Sequence, residues 1–99
     1  MSAAEPPYVE GERVFGPPAG TFDAAWVAAA ARQQDPGLPA ETAALLAGQA
    51  WARIRELGTL DAPSLARALL ASNDGVGATP CNAVATASVE FCEAYGVRP

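Results

Sequence analysis

The sequence predicts an all-α fold, a small four-helix bundle-like domain preceded by an extended Pro/Gly-rich N-terminal arm. Alanine, the strongest intrinsic helix former, fills 24 of the 99 positions. Apolar residues recur at three- and four-residue spacings in four stretches, whereas no useful length alternates apolar with polar residues as a half-buried strand would. Breakers separate the stretches: Asp35-Pro36-Gly37-Leu38-Pro39, then Gly58, then Asn73-Asp74-Gly75-Val76-Gly77, and finally Gly96.

Residues 1–20 read as the arm. Pro6, Pro7, Pro17 and Pro18 remove backbone donors, and Gly11, Gly16 and Gly20 add conformational freedom, so a helix cannot form there. Tyr8, Val9, Val14 and Phe15 nevertheless give this segment apolar anchors that a merely flexible tail would not need. The arm is expected either to lie on its own domain or to dock on a neighbour.

Residues 21–99 read as the four-helix domain. The first helix is expected to take Thr21 as N-cap, to place Asp23 in the first turn and to run to about residue 33, with Phe22, Trp26, Ala29, Ala30 and Gln33 on one face. The second is expected over 40–57, with an inner stripe of Leu46, Ala47, Ala50, Trp51, Ile54 and Leu57. For the third, Asp61 is the expected N-cap, Pro63 lies in the first turn, and Leu65, Leu69 and Ser72 share a side. The fourth is expected to open with Thr79 as N-cap and Pro80 at the first helical position and to close at Gly96. Its inner face would hold Cys81, Val84, Ala85, Ser88, Phe91, Cys92 and Tyr95.

Composition narrows the chemistry. The chain has no histidine and no lysine, which removes the side chains most used for proton transfer, Schiff bases and metal ligation. Its six cations are all arginines, spread through a chain of net charge −5, so no basic patch exists to neutralise nucleic-acid phosphates. A helix-turn-helix drawn through 62–95 would offer Asn82 to a base edge but no Arg before Arg98. No apolar run approaches the roughly 20 residues that span a bilayer, and the first residues lack the basic and apolar regions of a signal peptide; a cytoplasmic protein without membrane contact is expected.

Cys81 and Cys92 fall on one face of the fourth helix but about 16 Å apart along its axis, beyond the roughly 7 Å a disulfide spans. Neither their spacing nor the absence of histidine suits zinc. Cys81, in the first turn, is the possible reactive thiol, because the helix dipole there stabilises a thiolate; Cys92 sits at the negative end beside Glu90 and Glu93. The plain alternative packs both as small buried hydrophobes. Glu90 and Glu93 are expected on the solvated side, and the 73–77 loop lacks calcium-ligand spacing.

The run Glu56-Leu57-Gly58-Thr59-Leu60-Asp61-Ala62-Pro63-Ser64-Leu65, with Leu69 beyond it, resembles the segment of acyl and peptidyl carrier proteins in which a serine between Asp and Leu opens a helix. That resemblance implies Ser64 as the attachment point of a phosphopantetheine arm. Here Ala62-Pro63 stands between the Asp and the Ser, and a helix precedes the segment where those carriers have a long loop. The residues themselves read as ordinary helix capping.

Together these features predict a non-enzymatic protein–protein interaction or assembly module without a cofactor, a homo-oligomer or the small subunit or adaptor of a larger complex. Tyr8, Val14 and Phe15 in the arm and Trp51 on the second helix are the expected contacts with a protein partner. Trp26 and Trp51 are expected to meet in one core, unless one of them is instead an exposed anchor. The alternative is a small carrier or thiol-dependent protein using Ser64 or Cys81.

Overall fold

The computed structural model describes residues 21–99, which form four α-helices and, among these residues, no strand: α1 (Ala24–Gln34), α2 (Ala40–Leu57), α3 (Ala62–Ser72) and α4 (Ala78–Tyr95). The arm expected over 1–20 lies outside the described residues. Helices α2 and α4 pack against each other and against both remaining helices, while α1 and α3 flank this pair on opposite sides without meeting. The body measures 36 × 30 × 17 Å, a flattened rhomb one helix pair thick.

Each helix begins and ends for local chemical reasons. Helix α1 is capped by Asp23, whose carboxylate accepts from the backbone N–H groups of Ala25 and Trp26 at 3.0 and 3.2 Å. Thr21, expected as this cap, is exposed two residues upstream; the shorter-reaching hydroxyl yields to a carboxylate that engages two orphan donors. Helix α2 has no side-chain cap but carries Glu41 in its first turn and stops at Gly58, whose φ of 73° only glycine adopts without strain. Helix α3 is capped by Asp61 as expected. Helix α4 starts two residues earlier than expected, with Gly77 in the N-cap position and Pro80 in the third helical position, where its missing N–H still falls among the unpaired ones. It closes at Gly96 with φ of 70°, and Val97 N–H turns back onto the Cys92 carbonyl at 2.9 Å, burying the Val97 side chain.

The expected inner face of α4 is borne out, and it is broader than the pattern indicated. Cys81, Val84, Ala85, Ser88, Phe91 and Cys92 are buried, Tyr95 is half-buried, and Ala83 and Ala87 are buried as well. Three other expected inner positions are corrected. Gln33 is exposed: the buried α1 face is Trp26, Val27, Ala30 and Ala31, whose centre lies to one side of the Trp26 line and leaves Gln33, seven residues on, at its edge. Leu57 is 39% exposed at the last turn of α2, where Gly58 swings the chain off the body. Ser72 is exposed, donating to the Ala68 carbonyl at 2.9 Å and accepting from Arg53.

The aromatic residues among those described form one continuous chain. Trp51 stacks on Phe22 at 5.6 Å, Phe22 meets Phe91 edge-on at 5.5 Å, and Phe91 contacts both Trp26 and Tyr95 at 5.2 and 4.8 Å. The two tryptophans thus share one core through Phe22 and Phe91. At the opposite corner Gln49 and Asn73 exchange reciprocal amide hydrogen bonds at 3.1 and 2.7 Å, tying α2 to the end of α3.

Phe91→Ala removes the ring that joins α1 to α4 and should cost about 3–5 kcal/mol in denaturant unfolding, most of the margin of a small domain. Asp23→Ala should cost about 1 kcal/mol while Thr21→Ala changes little. Ser88 is fully buried and its hydroxyl has no hydrogen-bond partner. Ser88→Ala should therefore raise stability by up to about 1 kcal/mol, and a loss of that size in the same measurement would contradict the assignment.

Candidate functional site

Of the side chains singled out in the sequence, Tyr8, Val14 and Phe15 lie outside the described residues. Trp51 is half-buried on α2, with one face taken by Phe22. It is at once a core residue and part of the surface, since α2 holds it at the edge of the stripe formed by Leu46, Ala47, Ala50 and Ile54.

Cys81 lines a shallow cleft of about 200 Å³ between α3 and the start of α4, together with Pro63, Ala66, Arg67, Leu70, Ala78 and Asn82. One wall runs along α3 from Pro63 to Leu70 and the other is the first turns of α4, from Ala78 to Asn82. The Cys81 side chain itself is fully covered, and burial pushes its thiol above the ordinary cysteine range. Desolvation disfavours the thiolate form at this position. Cys92 is driven further, to about 11, by burial and then by the Glu93 carboxylate. Neither thiol is disulfide-bonded.

Ser64 sits in the first turn of α3, where both its N–H and its hydroxyl donate to the Asp61 carboxylate at 3.0 and 2.6 Å. The hydroxyl also accepts from Arg67 at 3.3 Å. These bonds hold the Asp61 carboxyl below its usual range, with the Ser64 hydroxyl as the main cause. Asp61, Ser64 and Arg67 thus make a local capping triad at the exposed start of α3. Glu90 and Glu93 both face outward, Glu90 accepting from Gln34 at 3.4 Å.

Two surface features had no counterpart in the sequence reading. Leu45 and Leu70 stand 50% and 40% exposed although the helical pattern gives their helices adequate inner faces without them. Gly48, in the middle of α2, is exposed, and a Cβ added to it would meet nothing within 4 Å. Only a count of which faces the other helices leave uncovered reveals either. Among the described residues no group of three or more His, Cys, Asp or Glu could hold a metal ion, and no helix is long and apolar enough to cross a membrane. No protein-family model matches the chain, and comparison with curated proteins and with solved structures returns no match.

The burial of both thiols has a direct readout. With an aromatic disulfide reagent at neutral pH, Cys81 and Cys92 should both react far more slowly in the folded chain than in denaturant. Because the folded Cys92 pKa is raised from 9.0 to about 11, its contribution to stability is complete below pH 9 and is lost as pH rises toward 11. Unfolding midpoints across that window should fall, and Cys92→Ala should flatten the fall.

Proposed function

We propose that this chain is a non-enzymatic protein–protein interaction and assembly module, acting as a homo-oligomer or as the small subunit or adaptor of a larger complex. The observation that carries the reading is the surface of α2: Leu45 is half exposed beside a mid-helix glycine whose position has open space above it. A glycine inside a helix costs about 1 kcal/mol relative to alanine. Nothing among the described residues approaches Gly48 closely enough to require it, and a second polypeptide that does is the natural account. Trp51 on the same helix, and Tyr8, Val14 and Phe15 in the arm, supply the apolar contacts. The spread negative charge favours a protein partner over nucleic acid, and a cytoplasmic setting suits two unpaired cysteines.

The alternative, a carrier or thiol-dependent protein, is less well supported. Ser64 spends its hydroxyl on Asp61, and Cys81 is covered with its pKa raised. Native mass spectrometry on the chain gently recovered from its own host separates the readings. A stable complex with a second protein or a second copy is expected, with unmodified chain mass. A phosphopantetheine mass on Ser64 or an adduct on Cys81 would replace the assembly reading, and a bare monomer under all conditions would remove it.

A further inference from the structure

We propose that the occupant of the α2 surface is a second copy of this chain, its α2 packed antiparallel across a two-fold axis at Gly48. The inference rests on the assembly reading above and gives it a partner and a geometry. With 3.6 residues per turn, Gly48 lies at the centre of the uncovered face of α2, and Glu41, Ala44, Leu45, Ala52 and Arg55, all exposed, surround it.

The placement of these residues is symmetric about the glycine. Glu41 lies seven residues before Gly48 and Arg55 seven after, each about two turns away and close to the same line along the helix. In an antiparallel pair centred on Gly48, each Glu41 meets the Arg55 of the second copy, giving two opposite-charge pairs. A parallel pair would set Glu41 against Glu41 and Arg55 against Arg55 and is disfavoured by the same charges. Neither residue has an ion pair within the described residues, whereas the neighbouring Arg53 is already committed to Glu56 at 2.8 Å.

The side-chain volumes match in the same arrangement. Ala44 and Ala52 lie one turn either side of Gly48, which brings the helices toward the lower limit of about 8 Å between axes. Leu45, on one flank, falls against Ala52 of the second copy, and the half-buried Trp51, on the other flank, falls against its Ala44. Each large side chain thus faces a small one, twice over. The glycine that this domain alone does not require is the point of closest approach.

Sedimentation velocity of the full chain over a dilution series tests this. The wild type should dimerise reversibly. Glu41→Arg and Arg55→Glu should each weaken the dimer about tenfold, and the double exchange should restore it. Net charge cannot produce that pattern, since Glu41→Arg lowers the overall negative charge and would strengthen a generic association. Gly48→Leu should keep helical circular dichroism and a cooperative melt but abolish the dimer. A dimer indifferent to these changes, or one that both single reversals weaken and the double exchange fails to rescue, overturns the geometry while leaving assembly standing. A wild-type monomer at every concentration overturns self-pairing; a second protein in the native complex would then keep the assembly reading, and its absence would end both.

Discussion

Helix α4 is approached by three helices at once because its middle carries Ala83, Val84, Ala85, Ala87 and Ser88, all buried, whose short side chains keep neighbouring backbones close. Small residues gain little hydrophobic free energy each, so the domain compensates by covering α4 on nearly all sides. The bulk that alanine lacks is concentrated in one aromatic chain, Trp51, Phe22, Phe91, Trp26 and Tyr95, which runs from α2 through the segment before α1 to the end of α4. The flattened shape follows: α2 and α4 form the shared centre, and α1 and α3 each close one side.

The same covering governs the chemistry. A cysteine near a helix N-terminus invites a reactive-thiol reading, but the Cys81 side chain is buried, and desolvation disfavours its anion. The serine that resembles a carrier attachment point is likewise absorbed by local structure. Pro63 and the Asp61 cap turn Ser64 back toward the start of its own helix, where hydroxyl and N–H serve one carboxylate. In both cases a residue type that suggests activity is used to finish a helix or fill a core.

Helix α2 divides differently. One face, Ala43, Leu46, Ala47, Ala50 and Ile54, belongs to the core, while the other holds a glycine flanked by alanines, an exposed leucine and two oppositely charged ends. A chain with a modest core has reason to keep such a face, because burying it against another surface adds apolar contact that alanine-rich packing does not supply internally.

What the sequence by itself determined was the local grammar: four helices, their breakers, the Asp61 and Gly96 ends and the inner residues of α4 are all legible from spacing and propensity. The start of α1 was not legible to the residue, since Thr21 and Asp23 are both good caps and it is the Asp23 carboxylate that engages the two backbone donors. Nor was the edge of its buried face, which is centred on Val27, Ala30 and Ala31 and leaves Gln33 exposed, while Phe22 reaches the core from outside the helix. Whether a position belongs to an inner face, to a second inner face or to solvent depends on how many neighbours a helix has. Tertiary packing alone decided that α2 and α4, each met by three helices, bury different shares of their surface, one face of α2 but most of the circumference of mid-α4, because periodicity reports the direction of a side chain but not what stands opposite it.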